Sequence, residues 1–299
     1  MIDVRRIDAN DKPMNPKGTH IIYWMTSARR ARWNHALDHS IELANEYNVP
    51  LIVVECLALG HRWANDRIHT FVLQGMIDNR KLFESSSVTY VPYVETKKAQ
   101  ARGLLQSFSR NAVAVVIDDF PTYMPRDVAE RAKQLADCSV RCIDSNGIVP
   151  LRAPQRSFST AHSFRRYIHK NVLNFISSPP SSDPLKNLNS VANGSEIVAS
   201  CFQEVEVPLT PLEFIWRVSE GSREGREALE VLDIDHDVPP VDDRRGGSLT
   251  ARTELKKLSN RDLIRTMSIA TTLNVVGAVG YRLGSTLGTS HPLRSLTKS

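Results

Sequence analysis

Three groups of residues in this 299-residue chain have the types and spacing that chemistry requires. Arg29-Arg30-Ala31-Arg32-Trp33-Asn34 follows directly on the apolar Tyr23-Trp24-Met25. This basic turn is the first place to look for a ligand, and Trp33, like Trp24 and Trp63, could stack on a planar ring, with core packing the expectation for Trp24 inside the strand. Asp118 and Asp119 close another apolar run and are followed by Phe120-Pro121. There they can position a ligand or a metal, or equally cap the turn. His35 and His39 stand one helical turn apart, a metal-pair spacing, but the glutamate of a helical zinc-protease motif is missing. Solvated surface histidines are therefore expected. No Walker A sequence and no G-x-G-x-x-G follows the first strand, which argues against an NTPase or a dinucleotide oxidoreductase. Nothing selects one Ser-His-Asp combination, so no catalytic residue and no metal site is assigned.

The elements that must position these residues follow from periodicity. Residues 20–25 read as a buried strand, 26–29 as a turn, and the next stretch as an amphipathic helix through Leu37, Ile41, Leu43 and Ala44. Further strands are expected at 50–57 (ending in Glu55-Cys56), 88–94, 112–117 and 139–143, alternating with helices at 65–82, 99–109, 125–136 and 160–176. The last of these helices carries Arg165, Arg166, His169 and Lys170 exposed; Arg165 and Arg166 could touch phosphates, with a solvated helix face as the default expectation. The alternation predicts an α/β fold, a five-stranded parallel Rossmann-like sheet with helices on both faces, followed by a partial all-α region. Ligands of such sheets sit at the strand carboxyl ends. That rule selects Met25, Arg30 and Arg32 after the first strand, Glu55 after the second, and Asp118, Asp119 and Phe120 after the fourth as a candidate ligand pocket.

Composition divides the chain further. Residues 1–19 read as a polar arm, 20–177 as the α/β domain, 178–208 as a Ser-, Pro- and Asn-rich linker, and 209–266 as the start of a helical domain. Residues 267–299 contain no Asp or Glu and show no period. A net charge of +5 and a pI near 9.1 give nucleic-acid binding modest support. The four cysteines lack metal-type spacing and read as buried reduced thiols. With neither a signal peptide nor a membrane-length apolar run, a cytoplasmic protein without a membrane partner is expected.

The order of motifs resembles that of class II DNA photolyases. Tyr23-Trp24-Met25 with the Arg-rich turn and Asn34-His35-Ala36-Leu37 is similar to the family's opening, and Pro50-Leu51-Ile52-Val53-Val54 to its second strand. Arg67-Ile68-His69-Thr70-Phe71-Val72-Leu73-Gln74-Gly75-Met76 is similar to its R-x-x-x-F-x-L-x-G-L helix. Asp119-Phe120-Pro121, Asp144-Ser145-Asn146-Gly147-Ile148-Val149-Pro150 and the 235–247 segment with Gly246-Gly247 continue the series to about residue 265. The resemblance implies a deoxyribodipyrimidine photolyase: an α/β domain able to hold an antenna pigment of the deazaflavin type, and a helical domain holding FAD. Reduced FAD, excited by light, then splits a cyclobutane pyrimidine dimer in damaged DNA.

The family's flavin motif, L-S-P-x-L-H-F-G, is absent from the amino-acid sequence, so the chain alone is expected to be inactive. Joining the last base of each codon to the first two of the next lets 268–275 be reread as D-R-D-H-P-E-R, and 280–291 as L-S-P-W-L-H-F-G-H-I-S. A frameshift near Arg265, leaving an out-of-frame disordered tail, would account for both strings. The alternative is a non-catalytic α/β module that binds a small planar pigment or a nucleotide.

Overall fold

The computed structural model describes residues 2–189 and 193–258. The strands are β1 (Ile7–Ala9), β2 (His20–Met25), β3 (Leu51–Leu57), β4 (Thr89–Val94), β5 (Ala112–Asp118) and β6 (Ser139–Ile143). They form one sheet in the order β1-β6-β5-β2-β3-β4. All neighbours are parallel except β1, which runs antiparallel to β6 with Ile7 opposite Ile143. The strand order reverses direction between β2 and β5, the kind of switch point where the loops after two strands diverge to opposite faces. Every residue of β2 and β5 is buried, as expected of central strands covered on both sides.

One face packs on α1 (His35–Tyr47), whose Leu37, Ile41 and Ala44 share a buried cluster with Ile21, Tyr23, Ala114 and Val116 of the two central strands. Asn34 starts α1 by accepting the N–H groups of Ala36 and Leu37, and Asn48 ends it in the left-handed conformation at φ 52°. Helix α2 (Asp66–Phe83), begun by the Asn65 side chain on the N–H of Ile68, follows β3. The other face is covered by α3 (Leu104–Arg110) and α4 (Tyr123–Leu135), with Phe108 edge-on to Trp24 at 6.5 Å. Helix α3 starts later than periodicity suggests because Gly103 (φ 89°) and Ala99 (φ 60°) take left-handed backbone that a helix cannot contain.

The arm is more ordered than its composition suggests. β1 adds a sixth, antiparallel strand, and the buried Arg6 donates to the carbonyls of Asp144 (3.0 Å), Gly147 (2.8 Å) and Ile148 (2.5 Å). The helix expected over 160–176 divides into α5 (Ala161–Asn171) and α6 (Leu173–Ile176).

The stretch expected to be a linker is corrected at 195–204. It carries α7 (Ser195–Glu204), whose Val198, Cys201 and Phe202 are buried in the sheet-covering core. Its apolar period is hidden by the Ser- and Pro-rich residues before it. Helices α8 (Leu212–Ser219) and α9 (Arg223–Leu229) bury Ile215, Val218 and Leu229 with Leu73, Met76 and Ile77 of α2. The compact unit thus runs through Ser248 and includes part of the expected helical region. A second unit begins at Leu249, and its described part belongs to α10 (Ser248–Leu258), where Lys257 pairs with Glu254 at 2.7 Å. The expected tail, 267–299, lies outside the described residues.

All four cysteines are free, and Cys138, Cys142 and Cys201 are buried. Burial pushes the Cys138 thiol up to about 11 and the Cys142 thiol up to about 12, so both stay protonated. Among the described residues no helix is long and apolar enough to cross a membrane.

Candidate functional site

The carboxyl ends of β2 and β5 meet where the strand order reverses, and the first residue to consider there is Asp118. Its Oδ2 accepts the backbone N–H groups of Thr26 (2.8 Å), Ser27 (2.8 Å) and Ala28 (3.0 Å). Three successive N–H groups aimed at one point form an anion-binding nest. Here the anion is the chain's own carboxylate. Oδ1 of Asp118 accepts from the Tyr23 hydroxyl at 2.8 Å, and Asn34 donates to that hydroxyl at 2.9 Å. Burial, reinforced by the Asp118 charge, holds the Tyr23 phenol well above its ordinary pKa. Asp118 therefore fixes the turn after β2 from beneath.

Glu55 is engaged in the same way. It is fully buried and accepts from Arg29 (3.1 Å), Asn79 (2.9 Å) and Tyr90 (2.6 Å). Arg29 also donates to the carbonyls of Thr26 (2.9 Å) and Cys56 (2.6 Å), which joins the β2 turn to the end of β3. Met25 is fully buried with its sulfur 3.8 Å from Asn79 Nδ2. Met25, Glu55 and Asp118 thus form a floor beneath the strand ends.

The remaining sequence candidates lie higher. Asp119 pairs with Arg152, and its carbonyl accepts from Asn146 at 2.6 Å. Phe120 and Arg32 are half-buried. Arg30 donates to the carbonyls of Trp33 (3.1 Å) and Ser145 (3.3 Å), linking the loops after β2 and β6.

Arg30 borders a cavity at this edge. That cavity measures about 410 Å³, with Trp33, His35, Asn146, Ile148 and Phe175 on its walls. A second of about 360 Å³ shares Arg6, His35 and the Ser178-Pro179-Pro180 segment with it. Trp33 takes left-handed backbone at φ 52°, rare for an aromatic residue, and its side chain is 52% exposed. The N–H of Trp33 donates to the carbonyl of Ser181 at 2.9 Å, so the 178–181 segment helps hold this conformation. The volume and the exposed indole suit a planar ring, and the arginines suit an acidic group on it.

His35 and His39, expected to be solvated, are both buried. Burial and the nearby Arg6 cation lower His35 to about 4, while burial followed by Arg141 lowers His39. Helical periodicity alone could not show that 178–181 and β6 cover this face of α1. Among the described residues no three His, Cys, Asp or Glu come together to hold a metal. Of the other wall residues, 178–180 escape sequence reasoning because their Ser-Pro composition reads as linker, and Phe175 and Ile176 because they fall at the end of the helix expected over 160–176, where nothing marks a cavity.

No family model matches the chain. Over 178 residues, 59% of its length, it is 28% identical to the deoxyribodipyrimidine photo-lyase of Methanothermobacter thermautotrophicus. Over 179 residues, 58% of its length, it is 24% identical to the deoxyribodipyrimidine photo-lyase of Arabidopsis thaliana. The matches cover 39% and 36% of those two proteins, so the chain spans well under half the length of the curated relatives it matches. A bacterial class III photolyase from Agrobacterium tumefaciens aligns in structure with a TM-score of 0.42 and 16% identity, over 68% of this chain and 41% of that one. In sequence, over somewhat more than half of its length, the chain resembles these two photo-lyases.

Proposed function

We propose that this chain is the α/β part, with the start of the helical part, of a DNA repair protein of the deoxyribodipyrimidine photo-lyase type. The observation that carries the reading is the 28% identity over 178 residues. In that reading damaged DNA is the partner and FAD the principal cofactor. Reduced FAD, when bound, supplies the light-driven electron that splits a pyrimidine dimer. The described residues contribute positioning: Asp118 and Glu55 hold the strand-end loops rigid, and Trp33, Arg30 and Asn146 border the cavity in which an antenna pigment of the deazaflavin type would lie.

The flavin motif is recovered only by rereading 280–291 in the shifted frame, so the chain as written has no repair activity in this proposal. Two experiments test it. Sequencing the coding DNA beyond codon 265 should reveal L-S-P-W-L-H-F-G-H-I-S in the shifted frame. The frame-restored protein should then bind flavin and repair dimers under light, whereas the 299-residue chain does neither. A locus without that string, or a restored protein without flavin or repair, overturns the reading. The cavity also favours a second reading, a pigment-binding module without catalysis; pigment bound by a restored protein that repairs nothing would select it.

A further inference from the structure

Helix α5 has no buried residue, yet its sequence is sharply divided. At 100° per residue, His162, Arg165, Arg166, His169 and Lys170 share one side, while Phe164, Tyr167 and Ile168 share the other. All five basic side chains are exposed, and Tyr167 and Ile168 are half-buried. The apolar side faces Phe158, whose ring centroid lies 5.3 Å from that of Phe164 and 5.4 Å from that of Tyr167. The helix is thus seated by its aromatic side and turns its cations outward.

The surrounding sequence strengthens the contrast. Residues 145–182 contain no Asp or Glu but five Lys or Arg, as many charges as the net +5 of the whole chain. Arg152 is neutralised by Asp8 and Asp119, and Arg156 lies over the Phe158 ring at 5.0 Å. The other three, Arg165, Arg166 and Lys170, lie exposed on α5. Arg165 to Lys170 rises roughly 8 Å along the helix axis. That distance spans about two phosphate steps of one DNA strand.

We propose that the basic side of α5 is a contact surface for the phosphate backbone of duplex DNA, independent of base sequence and of damage. A membrane surface is the poorer match, because an interfacial helix buries its apolar side in lipid, and here that side packs on Phe158. The choice of DNA among polyanions rests on the repair reading above. Phosphate contacts of this kind supply affinity and orientation without specificity. On a repair protein, such a surface holds undamaged duplex while a separate pocket searches for the lesion.

The test uses the full 299-residue chain and an undamaged duplex, with affinity measured across a series of salt concentrations. The triple variant Arg165→Ala, Arg166→Ala, Lys170→Ala should bind at least about tenfold more weakly, and its log-log salt slope should flatten by about one for each cation removed. The control triple Lys17→Ala, Lys97→Ala, Arg126→Ala removes the same charge from exposed sites elsewhere and should leave the slope unchanged. The double variant Arg165→Lys, Arg166→Lys should retain binding. Unchanged far-ultraviolet circular dichroism and melting temperature would show that the α5 triple remains folded.

Equal loss in both triples would reduce the effect to net charge and overturn the proposal. So would absence of duplex binding by the parent chain, or tighter binding to phosphatidylserine vesicles than to DNA. The repair reading is decided separately: a frame-restored protein that repairs dimers, with the α5 triple binding as tightly as its parent, refutes only the α5 surface. Duplex binding lost with the triple, in a protein that repairs nothing, refutes only the repair reading.

Discussion

The Tyr23 hydroxyl donates to Oδ1 of Asp118 at 2.8 Å, while the other oxygen of the same carboxylate accepts three backbone N–H groups. Replacing Asp118 by Ala strands four buried or half-buried donors and should cost about 3–5 kcal/mol of unfolding free energy. Asp118→Asn should cost less, about 1–3 kcal/mol, because its carbonyl can still face the turn. Urea unfolding of both variants measures the difference; equal stability of Asp118→Ala and the parent would deny Asp118 its role in the turn.

Arg29 and Glu55 make a largely buried pair at 3.1 Å whose partners depend on one another. Arg29→Met leaves the Glu55 carboxylate without its cation and should destabilise by about 3–5 kcal/mol. Adding Glu55→Gln to Arg29→Met should recover part of that loss, since a neutral amide needs no counter-charge. A double-mutant cycle by chemical unfolding detects the coupling, and strict additivity would count against it.

Acidification should destabilise the fold through His35 and His69. Burial holds each to about 4 from an ordinary 6.5. Between about pH 6.5 and 4 the unfolded chain takes up these protons and the folded one does not. Stability then falls with falling pH, at up to about 1.4 kcal/mol per pH unit for each histidine. His236 acts in the opposite sense: burial resists its protonation, but Asp66, 2.8 Å away, outweighs this and raises its pKa. Its stabilisation is complete below 6.5 and fades as pH rises through the raised value. Urea midpoints across this range should show a flatter acid slope in His35→Gln and in His69→Gln.

A deazaflavin pigment added to the purified chain should quench the fluorescence of Trp33, whose side chain is 52% exposed at the cavity. Trp33→Ala should weaken that binding roughly three- to tenfold, in keeping with ~0.5–1.5 kcal/mol for an aromatic pair. Met25→Leu, a fully buried floor residue that does not line this cavity, should leave the affinity unchanged. A titration in which Trp33→Ala binds like the parent would place the pigment elsewhere.

Much of this arrangement is legible before any coordinates. The strand at 20–25 and the one ending in Asp118 are continuous apolar runs, and a central parallel strand has no other way to be buried. In sequence Asp118 stands evenly between ligand binding and turn capping, and nothing local tips that balance: the three N–H groups that claim its carboxylate come from a loop some ninety residues away. Glu55 follows from the same positional rule, which finds the strand end but not the direction of the side chain. Its partner Tyr90 lies on β4 and Asn79 on α2. Long-range pairings of this sort leave no local period. Arg6 shows the same gap in reverse, because a lone cation in a polar arm gives no sign that it will be buried on three carbonyls of another loop.

The pairing of Ile7 with Ile143 sets a schedule for synthesis. Of the six strands, the first to leave the ribosome is among the last to find its neighbour, since β6 must emerge before β1 can join the sheet and before Arg6 can meet the carbonyl of Ile148. Throughout that interval the central strands can pair while β1 waits. Closure of the sheet's outer edge is thereby tied to emergence of the 145–148 loop, one wall of the cavity, while the opposite wall at 175–180 can be added only later in synthesis.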